Sequence, residues 1–271
     1  MLRLGPGVCG PLLLTPDRVP PPGPTALGRR AFAELLGTGL LVAAVVGSGI
    51  AAERLSPGDP GMQLLVNAVA TTAALVAILL ALGPVSGGHL NPVITLLTRG
   101  LGGMGTREAG VYVAAQVAGG AGGAVLANLM FDLPAVHLST RARSSPGLWL
   151  AEVVATFGLV LVVMGVARSG RASAAPAAVA AYIGAAYFFT ASTSFANPAV
   201  TLARTVSDTF AGIEPGSVPA FVTAQLVGGL LALGAVRLLF PAAVGEAAAA
   251  DLVVPHQPAT RSEWRDRARG A

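Results

Sequence analysis

Two short motifs carry the chemistry this chain offers: Asn91-Pro92-Val93 and Asn197-Pro198-Ala199. An asparagine amide accepts hydrogen bonds through its oxygen and donates two through its nitrogen. Asparagine is also a strong helix N-cap, and proline suits the first helical turn because its missing N–H is not needed there. Each motif therefore reads as the start of a helix with an amide donor at its tip. Such groups can bind and orient an oxygen-bearing molecule; they do not make or break bonds. Glu34 and Glu152 are ionisable side chains set inside apolar stretches, which makes them functional candidates. They read as braces that accept backbone hydrogen bonds from neighbouring loops, with a proton relay as the competing role. His89, His137 and His256 are too far apart for a metal-ligand spacing, and Cys9 is the single cysteine. No metal, cofactor, internal disulfide or enzymatic chemistry is expected. His89 reads as a loop-fixing residue that lines a path, the alternative being a proton or metal site.

The elements that must position these groups follow from composition. The 271 residues are 54% hydrophobic and only 11% charged, less than half the charge of an average soluble domain. A lipid-facing surface explains that shortage. The +4 net charge comes from arginines at span ends and in the tails, so it does not point to nucleic acid. Six apolar stretches, about 31–52, 63–83, 108–130, 148–167, 174–193 and 217–240, are long enough to cross a bilayer. Two shorter ones, 91–98 and 197–206, begin at the Asn-Pro motifs and read as half-length helices. Residues 1–28 are expected to form a disordered N-terminal tail, 29–240 a channel domain, and 241–271 a C-terminal tail. Within the channel domain one repeat is expected at 29–131 and a second at 147–240.

The halves resemble each other in three places and in the same order. Ala33-Glu34-Leu35-Leu36-Gly37-Thr38 matches Ala151-Glu152-Val153-Val154-Ala155-Thr156. Asn91-Pro92-Val93-Ile94-Thr95 matches Asn197-Pro198-Ala199-Val200-Thr201, and Ala115-Gln116-Val117-Ala118-Gly119-Gly120 matches Ala224-Gln225-Leu226-Val227-Gly228-Gly229. Three spans per repeat force the halves to enter the membrane in opposite senses. Inverted repeats place a site at mid-membrane on interrupted helices. The half-helices then meet N-terminus to N-terminus, and two partial positive charges oppose protons and cations. The loops before them, including Gly87, Gly88, His89, Leu90 and Thr193, must line a wet path, because irregular backbone survives at membrane depth only there or inside protein. With both tails in the cytoplasm, Arg29, Arg30, Arg99, Arg107, Arg168, Arg171 and Arg237 lie inside. Arg54, Arg141, Arg143 and Arg204 lie outside, as the positive-inside rule prefers.

On these motifs the chain resembles the aquaporin family, also called the major intrinsic proteins, over about 30–240. The resemblance implies an all-α membrane fold of six transmembrane helices and two re-entrant half-helices. It also implies a homotetramer in the cell membrane with one pore per subunit, and passive conduction of a small neutral solute. Two departures matter. Val93 replaces the usual alanine, either adding bulk beside the asparagines or merely packing. The family's four filter positions fall by counting on Thr71, Ala185, Ser194 and Val200, so no aromatic, histidine or arginine is expected there. That implies a wide, weakly polar filter, and the segment from Asn197 to Arg204 is similar to bacterial members associated with arsenic resistance. Candidate solutes are arsenous acid and methylated arsenicals, glycerol-like polyols, urea and water. A water-selective pore and an ion-coupled secondary transporter are the alternatives. Arg204, one turn beyond Val200, is expected either to place its charge in the outer vestibule or to cap the half-helix C-terminus.

Overall fold

The computed structural model describes residues 26–169 and 171–240. Most of the two expected tails lies outside the described residues. Among the described residues the eight α-helices are α1 (Leu27–Leu55), α2 (Pro60–Ser86), α3 (Pro92–Gly100), α4 (Thr106–Met130), α5 (Pro146–Arg168), α6 (Ala175–Phe189), α7 (Pro198–Ala203) and α8 (Val218–Leu239). The described residues contain no strand. Six helical segments are long and apolar enough to cross a membrane, so this is a multi-pass membrane protein.

Local sequence explains where the helices begin. Asp59 accepts a 2.9 Å hydrogen bond from the Met62 backbone N–H just ahead of Pro60, and Ser145 does the same for Leu148 ahead of Pro146. At its other end α2 stops on Gly87, which takes the left-handed conformation with φ 89°. The span expected over 174–193 is shorter than the hydropathy suggests. After a 3-10 turn at Ala172–Ala174, α6 ends at Phe189, and the Thr190 hydroxyl folds back onto the Ala186 carbonyl at 2.6 Å. The chain then turns back toward the middle of the bundle to begin α7.

Each repeat is a three-helix unit. α1 packs against α2 and α4, and α5 against α6 and α8, while α2 meets α6 across the repeat boundary. Glycines permit the closest crossings. A Cβ on Gly119 or Gly123 of α4 would collide with the backbone of Leu35 or Gly39 on α1, and one on Gly228 of α8 with the Val153 carbonyl on α5. Polar and apolar residues are arranged inside out. Glu34, Asn67, Gln116, Glu152 and Gln225 are buried, whereas Leu80, Leu150, Phe188, Phe189 and Leu230 are exposed on the outer surface. That pattern suits a surface solvated by lipid.

Candidate functional site

The two half-helices meet at the centre of the bundle. Asn91 adopts extended backbone (φ −154°, ψ 121°), and its side-chain oxygen caps α3 by accepting from Val93 N–H at 2.9 Å. Asn197 does the same for α7, accepting from Ala199 and Val200 at 3.0 and 3.3 Å. With both oxygens committed to their own helices, the amide nitrogens point across the repeat boundary. Asn91 Nδ2 donates to the Ala196 carbonyl at 2.8 Å, and Asn197 Nδ2 donates to the Leu90 carbonyl at 2.7 Å. Each NH2 carries two hydrogens, so each retains one donor for the central cavity, which both asparagines line.

The loops that deliver the asparagines have matching backbones. Gly87, Gly88 and Leu90 in the first, and Thr193, Ser194 and Ala196 in the second, all have positive φ. Glycine takes that conformation freely, whereas each non-glycine residue there costs about 1 kcal/mol or more. Something must hold these loops, and the buried carboxylates do. Glu34 accepts from Ser86 Oγ (2.7 Å), His89 N (3.0 Å), Leu90 N (2.6 Å) and Gln116 Nε2 (2.7 Å). Glu152 accepts from Phe195 N (2.9 Å), Ala196 N (2.8 Å) and Gln225 Nε2 (2.6 Å). Gln116 and Gln225 also reach Thr95 Oγ1 and Thr201 Oγ1, at 2.9 and 2.8 Å, tying each loop to its half-helix. Every group contacting either carboxylate is a donor, and neither glutamate lines the cavity. The geometry is that of a brace rather than a relay.

His89 is buried and lines the cavity, with Nδ1 3.1 Å from Thr95 Oγ1 and its ring edge-on to Tyr112. Gly88 and Leu90 line the cavity with it; Gly87 and Thr193 do not, and serve instead as left-handed turn residues. Val93 is 1% exposed and turned away from the cavity. Its Cγ1 lies 2.6 Å from where a Gly229 Cβ would sit, so its extra bulk fills a notch in α8. Among the described residues no group of three metal-ligating side chains occurs.

The counted filter positions need correction. Thr71, Ser194 and Val200 line the cavity, but Ala185 is exposed on the far side of α6. Helical geometry explains this: at about 100° per residue, position 185 lies roughly opposite 183 and 187. Ile183 and Tyr187 line the cavity instead, and the Tyr187 hydroxyl lies 3.2 Å from Thr71 Oγ1. Arg204 is the C-cap residue of α7, its backbone N–H donating to the Val200 and Leu202 carbonyls, but its side chain neither opens into an outer vestibule nor reaches the last carbonyls of the half-helix. The side chain is 2% exposed, and Nε donates to the Ala211 carbonyl. The guanidinium carbon lies 3.5 Å from the centre of the Phe195 ring and borders the cavity. An aromatic residue and a guanidinium are thus present after all, from positions that counting did not reach. A clue to Tyr187 was its spacing of one helical turn from Ile183. For Arg204 the sequence held no sign of the fold-back, which begins in a 3-10 turn at Arg204–Val206.

The segment before α5 is bonded to the segment that follows α7. His137 N–H pairs with the Val206 carbonyl at 3.0 Å and Ser139 N–H with the Thr205 carbonyl at 2.8 Å. Asp208 accepts from the Thr140 backbone at 2.9 Å, and that bond chiefly holds its carboxyl below the usual aspartate range. Arg143 donates from Nε to the Gly212 carbonyl at 2.8 Å, and its guanidinium carbon lies 5.0 Å from the Phe195 centroid. Burial, then the neighbouring Arg204 and Arg141, push its guanidinium down to about 9.

A pair of tip-to-tip half-helices inside inverted three-helix repeats is the arrangement that decides the family, and the sequence comparison agrees over residues 24–196, matched to the description "Major intrinsic protein". The chain belongs to the major intrinsic protein family. It is 52% identical over 217 residues to Aquaglyceroporin AqpS of Rhizobium meliloti (strain 1021), covering 80% of this chain and 92% of that one. It is 30% identical over 236 residues to Aquaporin AqpM of Methanothermobacter marburgensis, covering 76% and 95%. The crystallographic aquaglyceroporin from Plasmodium falciparum shares the fold, with a TM-score of 0.57 over 80% of this chain and 98% of that one at 20% identity. As a member of the major intrinsic proteins the chain is a membrane channel and not an enzyme.

Proposed function

We propose that this chain is a passive, aquaglyceroporin-type channel for small uncharged solutes, with both termini in the cytoplasm and four copies assembling in the cell membrane. The observation that carries the reading is the Asn91–Asn197 pair, which leaves one amide hydrogen from each half-helix tip over a single central cavity. A solute oxygen exchanging hydrogen bonds with those donors passes without covalent chemistry, while the two helix N-termini disfavour cations. The cavity lining contains no carboxylate, so it lacks the hard ligands on which ion coupling would rest.

Val200 supports passage of solutes larger than water, because an isopropyl group stands where family members with narrow filters carry a guanidinium. Glycerol-like polyols, urea, arsenous acid and methylated arsenicals are the candidates, and the AqpS relative named an aquaglyceroporin points the same way. Tyr187 and Arg204 favour the second reading, a water-selective pore, since they return an aromatic ring and a positive charge to the cavity. Stopped-flow swelling of proteoliposomes in water, glycerol, urea and arsenous acid gradients separates the two. Gradient-driven flux of the larger solutes above empty liposomes is expected. Water flux alone would leave the water-selective reading, and flux that follows an imposed proton or sodium gradient would remove the channel reading.

A further inference from the structure

Arg204 is a buried cation with no ion-pair partner. Among the described residues no carboxylate lies within ion-pair distance of it, and only its Nε has a protein acceptor, the Ala211 carbonyl. A guanidinium in this position is normally paired, because desolvating a charge is costly. Here the cost is reduced by stacking on the Phe195 face, itself fixed edge-on against Phe221. The two Nη groups make no hydrogen bond to the described residues, and Arg204 lines the cavity. In the same lining the Ser194 hydroxyl is buried and has no hydrogen-bond partner. Both residues border the same space as Val200 and Tyr187. Two polar groups held ready without protein partners indicate that the passing solute or water completes their hydrogen bonds.

We infer that Arg204 is the specificity-determining charge of this pore. Set one turn beyond Val200 and folded back over Phe195, it rejects cations and offers hydrogen-bond donors to solute oxygen, with Ser194 as its neighbour. This inference rests on the channel reading above. Moving the arginine one turn changes the geometry of the constriction. The charge is held against the wall by an aromatic ring, and Val200 keeps the neighbouring wall apolar. The pore thereby combines a wide apolar side with a positive potential, so that larger neutral molecules pass while protons and sodium do not.

The test uses the purified full-length protein in proteoliposomes. Proton and sodium leak under a potassium-diffusion potential and swelling in glycerol and urea are measured for wild type, Arg204→Ala, Arg204→Lys and the double variant Val200→Arg/Arg204→Ala. We expect Arg204→Ala to conduct neutral solutes but to leak cations about tenfold or more faster, since a unit charge at close range in a low-dielectric pore sets a barrier of that order. Arg204→Lys should keep the leak low while altering the glycerol-to-urea ratio, because its single ammonium cannot reproduce the fork. The double variant should restore tightness and slow the larger solutes. Wild-type leak and solute ratios in a folded Arg204→Ala would overturn the inference. If that variant does not fold, Arg204→Gln against Arg204→Lys decides it. Leak in the glutamine variant alone supports the inference, and equal leak in both overturns it. A wild-type protein that passes no solute would instead sink the channel reading.

Discussion

Asn91 and Asn197 clasp each other's loops, each amide nitrogen donating to the carbonyl that immediately precedes the other asparagine, at 2.8 and 2.7 Å. The half-helix tips are thus locked by reciprocal bonds, and the capping oxygens are spent within their own helices.

An aspartate at either position would face a carbonyl with an acceptor. We predict that Asn197→Asp costs about 2–3 kcal/mol from the buried, unsatisfied contact with Leu90, and that it lets cations into a pore whose centre has lost a donor. Lower thermal stability together with raised sodium leak in proteoliposomes is the expected pair of results. Unchanged values for both would mean the clasp is unimportant.

The glutamate braces are related by the repeat, so they should respond alike. Glu34→Gln and Glu152→Gln each place an NH2 group among donors, and each is predicted to cost about 1–3 kcal/mol. Detergent-resistant thermal melts should fall by similar amounts for the two variants. A large fall for one and none for the other would show that the matching hydrogen bonds are not matched in energy.

Glycine positions on α4 divide sharply. Gly119→Ala must push α4 from the Leu35 backbone of α1, whereas a Cβ at Gly122 meets nothing within 4 Å. The first is predicted to destabilise by about 1–3 kcal/mol, and the second to leave stability unchanged or slightly raised. Melting curves of the two variants side by side give the answer; equal shifts would refute the close-crossing argument.

Val93→Ala removes two methyl groups from the notch at Gly229 and none from the cavity wall. A loss of about 1–2 kcal/mol is expected, with glycerol and urea flux ratios as in wild type. A changed solute ranking would return Val93 to the pore.

Much of this architecture could be read before any coordinates. Hydropathy located the spans because lipid demands long apolar runs, and Asn-Pro marked both half-helix starts because capping is local chemistry. Glu34 and Glu152 could be read as loop braces because they match in the repeat, but their bonds to Gln116 and Gln225 could not, since those partners come from helices distant in sequence. The far side of the filter could not. Ala185 and Tyr187 differ by two residues, and choosing between them depends on the rotation of α6, which turns on where the helix breaks after Phe189. Arg204 was hidden for another reason. The direction of a long side chain after a 3-10 turn is decided by what it can stack on, and Phe195 comes from a different loop. Thr193 and Ser194 showed no sign of their left-handed backbone because they are not glycines.

Each half-helix leans on both repeats: α7 packs on α4 as well as on α8, and α3 on α8 as well as on α4. On the ribosome, α3 therefore emerges more than a hundred residues before its last support has been synthesised. Until the second repeat inserts, the Leu90 carbonyl and the Asn91 amide lack the partners that Asn197 and Ala196 supply, and bare peptide groups cannot remain in hydrocarbon. The nascent first half must wait at the translocon or the bilayer rim, and the arrival of the final helix is the event that seals the molecule.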